Sequence, residues 1–276
     1  MTSTDKSMTG KVYMVTGATS GIGRATACAL AHKGATVIVV GRNPEKSAAT
    51  VNQIKQQIGN PAVEFLLADL SAQVQIRQLA QQFESRYRRL DVLVNNAGAV
   101  FMKRQETVDG LEMTLALNRL GYFLLTNLLL DPLTASAPAR VVNVSSELHK
   151  KARLDFDGLQ GKRRYKGMEV YRQSKLANVL FTYELARRLE GTGVTVNALS
   201  PGLVATNLGM NNGGISALMK RLVNRVAGIS PEGGAQTSIH LATSPDLEGI
   251  TGQYFVRQQA VPSSEVTYDE AIARRL

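Results

Sequence analysis

The chain alternates short apolar runs with longer amphipathic stretches. Residues 11–16, 36–40, 63–67, 92–95, 140–144, 194–199 and 253–256 are runs rich in Val, Ile, Leu and Phe. Most are continuously apolar rather than alternating, as expected of strands buried on both faces. Between them, residues 24–30, 44–58, 71–88, 111–130, 168–189 and 231–243 read as helices, with Pro44 suited to a first turn. Strands alternating with helices predict an α/β fold: a doubly wound, parallel sheet of about seven strands flanked by helices. No internal repeat and no composition break divides residues 1–276, so one domain is expected. Two irregular stretches, 154–167 and 207–229, follow strands on the carboxyl side of the sheet, where such folds bind ligands.

Composition narrows the picture. Hydrophobic residues make up 44% of the 276, ample for a core. The single cysteine, Cys28, permits no intrachain disulfide and suits a small buried hydrophobe. No apolar run approaches the ~20 residues of a membrane span, and residues 1–11 hold no signal-peptide core, so a soluble, cytoplasmic protein is expected. The net charge of +10 suits an anionic partner such as nucleic acid, a membrane surface or a phosphorylated cofactor. The basic clusters are short, at Arg86, Arg88 and Arg89 and again at Lys162, Arg163 and Arg164; they read as solvated faces, and no nucleic acid is expected. His32, His149 and His240 stand isolated, with no ligands at metal spacing, so no metal is expected.

The first strand runs into Gly17, Gly21 and Gly23, and a helix follows. Such a loop lets backbone amides approach a pyrophosphate at the positive end of the helix; an ordinary glycine-rich turn would also fit. Where a dinucleotide fold usually places an acid to hold the adenosine ribose, the chain has Gly41 followed by Arg42. An arginine there accommodates a 2′-phosphate, which argues for NADP rather than NAD; the other reading is a solvated loop arginine. Tyr171 and Lys175 lie one turn apart on a helix. An ammonium held beside a phenol favours the phenolate and lowers its pKa from about 10, which would make Tyr171 a general acid/base. Alone, the pair would equally serve as ordinary helix positions.

Residues 16–23, Asp69, the Asn95–Gly98 run, Asn118, Ser146, Tyr171, Lys175, Pro201 and Gly202 together resemble the signature of the classical short-chain dehydrogenases/reductases, in order and spacing, over residues 11–256. Residues 107–112, 120–126, 174–181 and 232–237 resemble the retinol dehydrogenase-like subgroup, as does the 25-residue separation of Ser146 from Tyr171. That subgroup usually carries histidines where this chain has Arg119 and Tyr122, and often an N-terminal membrane anchor.

The resemblance implies a Rossmann-type sheet and an NADP(H)-dependent oxidoreductase. It would transfer hydride between the nicotinamide and a lipophilic carbonyl or alcohol, retinal-like or another aldehyde or ketone. Tyr171 would exchange the proton with the substrate oxygen, Ser146 would hold that oxygen, Lys175 would tune Tyr171 and bond the nicotinamide ribose, and Asn118 would link Lys175 to solvent through a water. Ser145 is the competing serine. Gly17, Thr19, Ser20, Gly21, Ile22, Gly23, Arg42 and Asn43 would bind the cofactor at its phosphates. Asp69 and Leu70 would meet the adenine, and Asn95, Ala97 and Gly98 would line the adenosine ribose side and brace the sheet. Pro201, Gly202 and Val204 would face the nicotinamide, and Thr206 its carboxamide or the pyrophosphate. Residues 207–229, apolar and glycine-hinged, would form a substrate lid; a surface helix or subunit contact fits the pattern nearly as well. A homodimer or a monomer is expected. Two other readings are a light-dependent protochlorophyllide-type reductase and a non-catalytic NADP-binding regulator. The absence of cysteines near the catalytic region argues against the first, and retention of both Tyr171 and Lys175 against the second.

Overall fold

The computed structural model describes residues 7–202 and 229–276. The expected strands form as β1 (Val12–Thr16), β2 (Thr36–Gly41), β3 (Val63–Leu67), β4 (Val92–Asn95), β5 (Ala139–Val144), β6 (Val194–Ser200) and β7 (Tyr254–Val256), and a short β8 (Gln259–Ala260) follows. They make one sheet in the order β3-β2-β1-β4-β5-β6-β7-β8, parallel except for β7–β8. The short eighth strand extends the sheet beyond the seven or so expected. Arg257 and Gln258, at φ 50° and 66°, form a two-residue turn that folds the chain back on β7. The turn lacks the glycine or asparagine that would signal it.

Side chains alternate across the sheet, so each strand feeds two cores. Met14, Ile38, Leu93 and Val141 pack beneath α3 (Gln73–Arg86), through Ile76, Leu79 and Phe83. Tyr13, Val15, Val37, Val39 and Val94 pack on the opposite face beneath α1 (Gly21–His32) and α2 (Pro44–Ile58), through Leu30, Val51 and Ile54. Both faces being covered is why the strands read as unbroken apolar runs.

The helix expected over 111–130 is divided. A turn of α4 (Met113–Leu115) passes into a π-helical turn, Ala116–Leu120, then α5 (Gly121–Leu128) and α6 (Leu130–Ala135). Pro132 has no N–H for the Leu128 carbonyl, so an unbroken ladder cannot pass this point. Gly121 presses on the β3–α3 connection: a Cβ there would lie 2.7 Å from the Leu70 carbonyl oxygen. The remaining helices are α7 (Gly167–Arg188), α8 (Pro231–Thr243) and a short C-terminal α9 (Glu270–Arg275) that sequence periodicity did not announce. Residues 154–166 are irregular, as expected, and Gly167 already opens α7. Strand order reverses between β1 and β4, and their carboxyl ends open the crevice where a ligand sits in such sheets.

Candidate active site

The crevice is assembled by ties between its loops. Thr16 Oγ1 accepts the N–H groups of Asn96 (2.8 Å) and Ala97 (3.0 Å), and Asn96 Nδ2 donates to the Thr16 carbonyl at 2.8 Å. Gly17 has φ +63°, and a Cβ on it would stand 2.8 Å from Ala97 Cα. On Gly23 it would meet Asn96 Nδ2 and the Gly17 carbonyl oxygen, each at 2.5 Å. These glycines are required by backbone packing. Ser20 is the N-cap of α1 but makes no side-chain cap bond, and the first turn has no acidic residue. The first-turn N–H groups, beside Gly21 and Ile22, therefore face the crevice uncapped and are suited to an anion.

At the end of β2, a Cβ on Gly41 would lie 2.5 Å from Ser47 Oγ and 2.6 Å from the Thr19 methyl group, so an acid has no room there. Arg42 beside it is exposed and makes no ion pair among the described residues. Asn43 Oδ1 is committed to capping α2, accepting from Lys46 N–H at 2.8 Å. Asp69 Oδ1 accepts from the Ser71 N–H (2.9 Å) and hydroxyl (2.6 Å), and Leu70 is buried. The Asn95 side chain points into the core: Nδ2 donates to Thr126 Oγ1 and Asn143 Oδ1, each at 2.9 Å, and Asn143 reaches Thr182 on α7 at 3.0 Å. This chain braces β4, β5 and α7, as expected of Asn95.

Tyr171 and Lys175, both buried, converge on the β5 terminus. Lys175 Nζ donates to the Val144 carbonyl at 3.0 Å and lies 5.7 Å from the ring centroids of both Tyr171 and Tyr122. Ser146 Oγ accepts from Leu148 N–H at 3.2 Å, and its hydroxyl is the neighbour that acts on the Tyr171 phenol in favour of the phenolate. Ser145 turns away and donates to the Lys175 carbonyl at 2.7 Å. Asn118, within the π turn, is clamped by Ala99: Oδ1 accepts its N–H at 2.9 Å and Nδ2 donates to its carbonyl at 3.0 Å. Nδ2 also reaches Ser174 Oγ at 3.1 Å. Gly98 separates Asn118 from Lys175; a Cβ on it would meet Asn118 Oδ1 at 3.2 Å and Lys175 Nζ at 3.5 Å.

One expectation is corrected. Burial pushes the Tyr171 phenol up to about 12, and the opposing influence is the Ser146 hydroxyl, since donation to the oxygen favours the phenolate. The Lys175 ammonium sits over the ring rather than at the phenol oxygen, and burial draws it down to about 7. The arrangement can pass a proton at the phenol and hold a second oxygen at the serine. Pro201 and Gly202 follow the carboxyl end of β6, with Gly202 N–H donating to Ser200 Oγ at 3.3 Å. Val204, Thr206 and the lid expected over 207–229 lie outside the described residues, except for the exposed Ile229. Sequence reasoning gave no role to Tyr122, buried against Lys175, or to the Val144 carbonyl. Among the described residues no helix is long and apolar enough to cross a membrane, and no cluster could hold a metal.

A parallel sheet with the 3-2-1-4-5 switch, a glycine loop at an uncapped helix and a tyrosine–lysine turn beside a serine defines a class: nucleotide-dependent oxidoreductases of the alcohol/carbonyl pair. The chain belongs to the short-chain dehydrogenase family, whose sequence model matches residues 11–214. It is retinol dehydrogenase-like. It is 44% identical over 287 residues to retinol dehydrogenase 14 of Mus musculus, covering 98% of this chain and 84% of that one. It is 43% identical over 272 residues to polyprenol dehydrogenase of Homo sapiens, covering 96% and 82%. Among solved structures, a Mycobacterium paratuberculosis protein aligns with a TM-score of 0.77 at 31% identity, over 96% of this chain and 90% of that one. The Pseudomonas aeruginosa RhlG/NADP complex aligns at 0.72 and 27%, over 92% and 96%. The chain is thus an oxidoreductase of CH–OH/C=O groups that uses a nicotinamide cofactor.

Proposed function

We propose that the protein is an NADP(H)-dependent reductase/dehydrogenase of lipophilic aldehydes, ketones or their alcohols, residues 1–276 forming one NADP-binding domain. The observation that carries the cofactor choice is the end of β2. Gly41 leaves no space for a ribose-binding acid, and Arg42 offers an exposed guanidinium, without an ion pair among the described residues, suited to a 2′-phosphate. A structural neighbour bound to NADP supports the same choice. The crevice fits such a group, since the uncapped N-terminus of α1 and the close packing at Gly17 and Gly23 leave room for a pyrophosphate against backbone. Gly17, Thr19, Ser20, Gly21, Ile22 and Gly23 would hold it there, with Arg42 and Asn43 at the 2′-phosphate and Asp69, Leu70, Ala97 and Gly98 on the adenosine side. The nicotinamide, when bound, supplies or takes the hydride.

The chain's own residues handle the oxygen and its proton. Tyr171 gives its phenolic proton to the carbonyl oxygen in reduction and takes it back in oxidation. Ser146 holds that oxygen; its register over Ser145 is supported by the Ser145 hydroxyl being occupied on backbone. Lys175 would bond the nicotinamide ribose when the cofactor is present and would support return of the proton. Asn118 holds the π turn in place beside it. Retinol and polyprenol dehydrogenases among the relatives support a lipophilic substrate. A panel of aldehydes, ketones and alcohols assayed with each cofactor tests the reading. Turnover with NADPH well above NADH, rising with substrate chain length, is expected; equal use of both cofactors, or preference for short polar substrates, would refute it.

A further inference from the structure

His149 has no part in the chemistry above, yet its ring is fully buried four residues beyond Ser145. Nδ1 lies 2.7 Å from the Ser146 carbonyl oxygen, and Nε2 lies 3.2 Å from the backbone nitrogen of Ser264. A carbonyl can only accept and an amide N–H can only donate, so the two partners dictate the tautomer: proton on Nδ1, lone pair on Nε2, ring neutral. The Ser146 carbonyl also accepts the His149 backbone N–H at 3.1 Å. Two bonds from one residue hold the peptide plane after Ser146, and with it the direction from which the serine hydroxyl leaves the chain. The ring edge rests on Tyr254, with centroids 4.7 Å apart.

The far side of the bridge is anchored too. Next to Ser264, the Ser263 hydroxyl bonds Tyr183 of α7 at 2.7 Å and Thr267 Oγ1 at 2.6 Å. Ala273 of α9 packs on Leu176 and Leu180 of α7. A continuous path thus runs from the serine loop through His149 to the C-terminal segment and returns to the helix that bears Tyr171 and Lys175.

We propose that His149 is a positioning residue: by bridging the Ser146 carbonyl to the Ser264 amide it aims Ser146 at Tyr171 and makes residues 263–276 part of the support of the active site. The proposal rests on the role given to Ser146 above. Protonation would set a second N–H against that of Ser264 and break the bridge. The charges near the ring are on its own turn, Lys150 opposing protonation and Glu147 favouring it. From the neighbouring elements Tyr254 and Ser264 present neutral groups, and among the described residues no carboxylate bonds the ring.

The test compares His149→Leu with His149→Gln. A glutamine carboxamide can donate to Ser146 and accept from Ser264 without titrating; leucine fills the space and does neither. Expected is a fall in kcat of about 10–100-fold for His149→Leu, as for other lost supporting contacts, with NADPH affinity unchanged. His149→Gln should recover most of kcat and lose the acid limb of the wild-type pH profile. A His149→Leu enzyme with wild-type kcat, or a His149→Gln enzyme as slow as it with NADPH affinity also reduced, would overturn the proposal. A wild type that turns over no carbonyl would refute the functional reading instead. The bridge is then decided by NMR of the three histidines: a neutral, Nδ1-protonated His149 upholds it, and an Nε2-protonated ring overturns it.

Discussion

Lys175→Met separates what the lysine does for the fold from what it does for chemistry. Methionine keeps most of the stem and cannot carry a charge. Burial takes the ammonium from 10.5 to about 7, a difference equivalent to about 5 kcal/mol. The folded value lies below the unfolded one, so the unfolded chain binds the proton first as pH falls. Stability contributed by the neutral amine is complete above 10.5, drains away as pH falls towards 7, and is level below that. The stability of Lys175→Met relative to wild type should therefore grow by about 3 kcal/mol between pH 9.5 and pH 7. At pH 7 the lost bond to the Val144 carbonyl offsets about 1.5–3 kcal/mol. The remaining gain of about 1–3 kcal/mol would raise the apo melting temperature by several degrees, at about 2–4 °C per kcal/mol. Urea unfolding followed by circular dichroism at both pH values, with turnover measured alongside, is the assay. Turnover should be lost while stability rises. A stability difference that does not change with pH would refute the account of a desolvated charge.

Three further outcomes follow from the site. Arg42→Ala should weaken NADPH by about 1.5–3 kcal/mol and leave NADH nearly unchanged; titration by fluorescence of the reduced cofactors checks it, and equal losses would remove the 2′-phosphate assignment. Ser146→Ala should lower kcat by about 10²-fold or more with NADPH affinity intact, whereas Ser145→Ala, which loses a bond to backbone, should cost mainly stability; the reverse pattern would mean the register is off by one. Gly23→Ala forces a Cβ onto Asn96 and the Gly17 carbonyl, each 2.5 Å away; isothermal titration should find NADPH binding lost, and near-normal binding would contradict a backbone-lined pyrophosphate site.

The fold was legible where both faces of a strand are buried, since β1, β2 and β4 to β6 then become unbroken apolar runs. The candidate site was legible where a residue type recurs at a spacing, as with Tyr171 and Lys175, one turn apart on α7, or Gly17 and Gly23, where backbone packing leaves no room for a side chain. It was not legible where a side chain's partner is distant or is backbone. Asn43 Oδ1 also caps a helix, Asp69 Oδ1 also holds Ser71, and the Asn118 amide is held by the backbone of Ala99. His149 looked isolated because its partner Ser264 is 115 residues away and offers an amide that any residue would carry. The raised phenol of Tyr171 follows from burial rather than from sequence spacing, and the π turn at Asn118 follows from tertiary packing that periodicity does not encode.

The central claim is that Tyr171 moves the proton in a hydride transfer between NADPH and a carbonyl. The most direct measurement supplies NADPH deuterated at C4 with the best aldehyde from the panel, and follows label in the alcohol by mass spectrometry for wild type and Tyr171→Phe. Tyr171→Phe keeps the ring and removes only the hydroxyl. Deuterium at the carbinol carbon in wild type, with turnover nearly abolished in Tyr171→Phe while NADPH still binds, is the predicted result. Wild-type turnover without label in the carbinol, or a Tyr171→Phe enzyme that reduces the aldehyde at close to the normal rate, would contradict it.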